Sequence, residues 1–157
     1  QICFLLILSV CCILSKQYMN TLVFMATLYL VRGRIGGWHA PYAWLCILLT
    51  TIQTWTVLYI VAPVLADINP FFTWALNLLL LLIALRTDPI YPPQLHFDQE
   101  VISANRRKKN LILVCIVLIQ IVSFGLGIEW ILIFSFNGIL VSMLLVFAEK
   151  FKQKYGG

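Results

Sequence analysis

Long aliphatic runs, separated by short polar connections, constrain this chain more than any other feature. Six can be drawn, at about Ile2–Leu14, Met19–Val31, Tyr42–Val64, Phe71–Leu85, Leu111–Leu126 and Trp130–Ala148. They do not alternate with period two, so a transmembrane barrel built from strands of about ten residues is excluded. A soluble fold is excluded by its surface. With 62% apolar and 11% charged residues, too few polar side chains exist to clothe a domain of this size. The fold class is therefore all-α: a polytopic membrane protein with about six transmembrane or membrane-embedded helices.

A helical span needs about 20 residues, which the third run meets and the sixth nearly meets. The second and fourth borrow flanking Asn, Tyr and Thr residues, or lie tilted or partly re-entrant. The first is short, and the chain opens at Gln1 directly in apolar sequence. A native N-terminal segment is expected to precede it. No basic stretch or small-residue cleavage site suggests a signal peptide.

Positive charge orients the runs. Six spans put the second and fourth connections and the C-terminus on one side. That side carries ten of the eleven Lys and Arg: Arg32, Arg34, Arg86, Arg106, Arg107, Lys108, Lys109, Lys150, Lys152 and Lys154. Lys16 alone falls opposite. Cytoplasmic loops collect such residues, which predicts both termini inside.

The connection from Arg86 to Asn110 is the long one. Asp88-Pro89-Ile90-Tyr91-Pro92-Pro93 reads as extended and turn-rich. The stretch 97–110 reads as a short interfacial helix ending in Arg106-Arg107-Lys108-Lys109. These four are expected to contact anionic lipid head groups, and they also offer a docking site for an acidic peptide. Nucleic acid is not an expected partner.

The chemistry concentrates between the second and third runs, in Arg32-Gly33-Arg34-Ile35-Gly36-Gly37-Trp38-His39-Ala40-Pro41-Tyr42-Ala43-Trp44-Leu45-Cys46. Cys46 and His39 form the credible nucleophile and base of the chain. A thiolate attacks carbonyl carbon well, and an imidazole titrates near neutrality. Seven residues of continuous helix would separate them by about 10.5 Å in rise, beyond hydrogen-bond reach. The dyad therefore requires a break. Gly36 and Gly37 are expected to make a flexible approach, Arg32 to Ala40 a mobile cationic loop, and Pro41 onward the helix that carries Cys46.

On that helix Cys46, Thr50, Gln53 and Thr54 share one face. The bland reading is interhelical glue; the sharper one is a groove for substrate backbone, lined by Thr50 and Gln53. A third catalytic member is not evident. Asp88 and Gln53 are weak candidates, and the charge count rejects Asp67 by placing it on the opposite side. The rival readings are an accidental thiol at a helix start, a metal site and a peptide transporter. His39, His96 and Cys46 lack the paired spacing of zinc ligands, so no metal and no cofactor is expected. The runs carry almost no ionisable residue of the kind that marks a coupled transport path.

The pattern Arg32, Gly37, His39-Ala40 and Cys46, set between two apolar runs, resembles that of the accessory gene regulator B (AgrB) family. The six-run reading, the proline-then-basic connection and the lysine-bearing C-terminus extend the resemblance over nearly the whole chain. It implies one membrane-embedded peptidase domain, residues 1–157, in a bacterial cell membrane with its site on the cytoplasmic side. It implies His39 and Cys46 as the dyad of a cysteine endopeptidase, with Arg32 and Gly37 in support. The implied partner is a small AgrD-like propeptide with an acidic C-terminal region. Cleavage through an acyl-enzyme thioester, followed by closure of a thiolactone or lactone ring, would yield a quorum-sensing peptide. A homodimer would help cover the short spans, although no interface motif specifies one.

Overall fold

The computed structural model describes residues 17–37, 42–91 and 98–155. Among them the elements are helical: α1 (Tyr18–Ile35), α2 (Ala43–Thr56), a π-helical turn (Val57–Val61), α3 (Ala62–Ala66), α4 (Pro70–Arg86), α5 (Gln99–Gly125) and α6 (Glu129–Tyr155). The one departure among the described residues is an isolated bridge between Gly36 and Ile90.

Three stretches are long and apolar enough to cross a membrane: Trp44–Ala66, Gln99–Gly125 and Glu129–Tyr155. Pro70–Arg86 is a shorter apolar helix. The protein is thus a multi-pass membrane protein built from helices. The first apolar run, 2–14, lies outside the described residues.

Local sequence explains most boundaries. Asn69 caps α4, its side chain accepting a bond from Phe71 N at 2.9 Å, and Pro70 occupies the first helical position, where a missing N–H costs nothing. Gly127, at φ 72°, ends α5. Its N–H donates to Phe124 O at 3.0 Å and that of Ile128 to Ser123 O at 2.8 Å, the paired closure of a Schellman motif. The π turn lies just before Pro63, which has no N–H to offer Tyr59 O and whose ring crowds that carbonyl.

Two helices run further than their apolar cores. α1 continues past Val31 through Arg32 and Arg34 to Ile35. The expected interfacial helix at 97–110 and the fifth run are one 27-residue helix, α5. Neither Pro nor Gly interrupts residues 99–124, so nothing breaks the hydrogen-bond ladder where polar sequence gives way to apolar.

α6 is the axis of the bundle. Gly138 lets α1 approach it closely: a Cβ there would meet Thr27 Cβ at 2.8 Å and Phe24 O at 3.0 Å. Around this contact Phe24, Met25 and Leu28 pack with Val57, Leu58, Ala62, Phe134 and Val141. A second cluster joins Val31 and Ile35 of α1 to Leu81, Leu113, Ile116, Ile139, Met143 and Val146. Within lipid such clusters are held by close packing and interhelical hydrogen bonds, since burial from hydrocarbon gains little. Asn77 Nδ2 donates to Gln120 Oε1 at 2.8 Å, and Gln120 Nε2 donates to Ser135 Oγ at 2.7 Å, tying α4, α5 and α6 at mid-height.

These contacts fix directions. α1 and α6 are parallel, because Thr27 meets Gly138 and Gly37 meets Leu145 and Val146. α5 is antiparallel to α4, with Gln120 at Asn77 and Lys109 at Ala84. The ends of α1, α4 and α6 and the starts of α2 and α5 therefore lie together. Of the eleven Lys and Arg, Lys16 is outside the described residues, and the other ten gather at this one end. Asp67 and Glu129 mark the other.

Candidate active site

The corner after α1 is closed by hydrogen bonds. Gly36 N donates to Arg32 O at 3.0 Å, Ile90 N to Ile35 O at 2.9 Å, and Gly37 N to Ile90 O at 2.9 Å. Tyr91 Oη donates to Arg34 O at 2.9 Å. The last carbonyls of α1, which a helix leaves unpaired, thus find partners in the chain that follows α4. Both glycines have positive φ, 76° and 115°. A Cβ on Gly36 would collide with Ile90 O, and one on Gly37 would press at 3.1 Å on the α6 backbone at Leu145 and Val146. The flexible approach expected of this pair is corrected: the glycines serve tight contact. The expected loop from Arg32 to Ala40 is corrected over its first part, since Arg32 to Ile35 form the last turn of α1; residues 38–40 lie outside the described residues.

The helix break that the dyad requires is present between the described ends. α1 stops at Ile35, Tyr42 is extended at φ −119° and ψ 139°, and α2 begins at Ala43. It begins two residues after Pro41, where the helix was expected to start. His39 itself, with Trp38, Ala40 and Pro41, lies outside the described residues, as does His96.

Cys46 is the fourth residue of α2, half-buried and unbridged. Its N–H donates to Tyr42 O at 3.1 Å. Thr50 Oγ1 donates to Cys46 O at 2.8 Å, and Thr54 Oγ1 donates to Thr50 O at 2.7 Å and reaches Met25 Sδ at 3.4 Å. The polar stripe therefore turns toward α1, with Thr50 and Thr54 buried and Gln53 half-buried. This contact also sets the register of the antiparallel α1–α2 pair. Cys46 lies eight residues above Thr54, and Arg32 lies seven beyond Met25. Both positions therefore lie about two turns from that contact, toward the charged end of the pair.

Beside the corner, Asn105 Nδ2 donates to Tyr91 Oη at 2.9 Å, and Arg34 Nη1 donates to Asn105 Oδ1 at 3.4 Å. Burial pushes the Tyr91 phenol above its ordinary range, while the Asn105 bond and the Arg34 charge act in the opposite sense. Sequence reasoning missed Tyr91 and Asn105. Neither is charged, and 14 residues separate them.

The basic run divides. Arg106, Arg107 and Lys108 are exposed, and Arg106 pairs with Asp88 at 3.2 Å. Lys109 is fully buried and donates to Ala84 O at 2.7 Å, Leu85 O at 3.1 Å and Thr87 O at 2.6 Å. It closes the C-terminal end of α4 and so leaves the expected docking set. Its spacing carried the signal: Lys109 continues the buried stripe Leu113, Ile116, Gln120 and Ser123. Asp67 follows α3, 21 residues from Cys46 at the far end of the same helical stretch.

The family model described as accessory gene regulator B matches residues 1–151. Neither the curated proteins nor the solved structures include a match to the chain.

Proposed function

The chain belongs to the accessory gene regulator B family, and on that premise we propose that it is a membrane cysteine endopeptidase that processes a small propeptide. Membership supports a role in quorum sensing. The observation that carries the finer reading is the helix break: α1 ends and α2 starts at the same charged end, with Cys46 in the first turn of α2. His39 lies between Gly37 and Tyr42, both of which are described. It is seven residues from Cys46 along a chain that is no longer one helix.

In this reading Cys46 Sγ gives up its proton to His39 and attacks the scissile carbonyl carbon. The tetrahedral intermediate collapses as His39 returns the proton to the leaving amine, which departs with the C-terminal part of the propeptide. The N-terminal part stays on Cys46 as a thioester. An internal thiol or hydroxyl of the propeptide then attacks that thioester, closes the ring and releases Cys46. Exchanging one thioester for another is nearly neutral in energy, whereas forming a thioester from an amide is uphill. Productive ring closure therefore requires that water be kept from the intermediate, which suits a nucleophile near the membrane boundary. Removal of the cleaved tail draws the sequence forward.

Arg32, in the last turn of α1 at the same charged end as Cys46, supplies positive charge to the site. Gly37 supports the site through its close seat on α6. Thr50 and Gln53 continue from the nucleophile as a groove for substrate. Arg106, Arg107 and Lys108 present an exposed face for the acidic region of the propeptide, and the same end meets anionic lipid. The collected positive charge argues for a cytoplasmic orientation of this end, with six spans and both termini inside.

Cys46→Ala tests the reading: cleavage falls at least about 10⁴-fold, as for loss of a catalytic nucleophile, while expression and membrane insertion persist. Intact-mass analysis of a slowly turning-over enzyme shows the propeptide fragment attached at Cys46. Turnover that survives Cys46→Ala rejects it.

A further inference from the structure

We propose that Tyr91 is a positioning residue for the cysteine chemistry, fixing the Gly36–Gly37 corner from which the His39-bearing segment departs. This inference rests on the peptidase reading above. His39 follows Gly37 by two residues, so covalent geometry keeps their Cα atoms within about 7 Å of each other. Whatever fixes Gly37 therefore limits where the imidazole can be delivered.

The corner is fixed from four elements. The Ile90 backbone is bonded in both directions, to Ile35 O and from Gly37 N. The next residue, Tyr91, closes a small ring. Its phenol donates to Arg34 O and accepts from Asn105 Nδ2, and Asn105 Oδ1 accepts from the Arg34 guanidinium. On the far side Gln153 Nε2 of α6 donates to Tyr91 O at 3.4 Å. Thus α1, α5, α6 and the chain after α4 converge on one residue, α1 and α5 through its phenol and α6 through its backbone carbonyl. The two buried clusters lie along the helices, and neither includes Tyr91. Losing the phenolic oxygen leaves that packing whole and loosens the corner. A misplacement of about 1 Å in a catalytic group costs up to roughly 100-fold in rate.

The test uses the full chain in lipid nanodiscs with a propeptide that the wild-type chain processes. Iodoacetamide is the probe of Cys46, read by peptide mass mapping. Tyr91→Phe is expected to lower kcat roughly 10- to 100-fold with KM within about twofold, and to slow alkylation of Cys46, while thermal stability changes little. Asn105→Ala removes the other half of the ring and is expected to act in the same direction. The double variant is expected to lose little more than either single one. Asn105→Ala also decides the matter should Tyr91→Phe fail to fold. An unchanged kcat in folded variants, or a rise in KM alone, overturns the proposal. Cys46→Ala is run beside them. If it is inactive while Tyr91→Phe keeps full kcat, positioning alone is wrong; if it is active, the peptidase reading fails and takes this inference with it.

Discussion

Of the three described helical stretches long enough to span a membrane, two live in different surroundings. In the most apolar part of α6, 61% is buried inside the protein, against 28% for Trp44–Ala66, which carries Cys46. α6 is gripped by α1, α4 and α5 and has Gly138 where a neighbour must come close. The Cys46 helix leans on α1, and through Val57, Leu58 and Ala62 on the cluster shared with α6. Its outward face shows Trp44, Ile47, Leu48, Ile52 and Trp55. The contrast separates two tasks. The enclosed axis carries most of the packing, whereas the candidate nucleophile sits on a helix with a broad exposed apolar face. Local stability follows burial and contact density, so the helix that carries Cys46 is the one freer to adjust.

Substitutions can break or sharpen this contrast. The largest stability effect is expected from Gly138→Leu, which drives a side chain into Thr27 and the Phe24 carbonyl. It costs about 1–3 kcal/mol or more by overpacking, seen as a fall in unfolding temperature in detergent. Lys109→Met comes next. It keeps the stem but leaves the carbonyls of Ala84 and Thr87 without their buried donor, at about 1–3 kcal/mol, read by the same melt. Neutralising Arg106, Arg107 and Lys108 together leaves stability nearly unchanged and raises KM for the propeptide several-fold, as expected for exposed charges at a binding face. Leu48→Ala, on the outward face of α2, is the smallest, within about 0.5 kcal/mol. A large loss from Leu48→Ala, or tolerance of Gly138→Leu, would reverse the roles assigned to the two helices.

Apolar pattern and charge made much of this architecture legible beforehand. The run Tyr42–Val64 becomes the stretch Trp44–Ala66, and Trp130–Ala148 lies wholly within α6. The gathering of basic residues at one end follows from helix directions that the charges had implied. What escaped was tertiary. Polar composition at 97–110 suggested a separate surface helix, but helix propensity does not change at a polarity boundary, and α5 runs straight through it. Lys109 looks like one of its basic neighbours because proximity in sequence hides a 100° turn per residue. Gly36 and Gly37 read as freedom because a glycine shows its missing Cβ, and nothing local reveals that the α6 backbone or Ile90 O occupies the space. Within the candidate site, Cys46 and Arg32 stand out by residue type, whereas the packing of the Cys46 helix against α1 needed the Thr54–Met25 contact.

The π-helical turn at Val57–Val61 has a consequence for phase. Cys46, Thr50, Thr54, Leu58 and Ala62 follow one another at intervals of four. In an unbroken α-helix each such step advances the face by about 40°, so four steps would swing Ala62 about 160° away from Cys46. Yet Thr50, Thr54, Leu58 and Ala62 are all buried. The wider turn takes up part of that drift, as a leap day holds a calendar to the seasons. Any insertion or deletion between Val57 and Val61 would therefore reset the direction in which Cys46 faces relative to the bundle, without touching a residue of the candidate site.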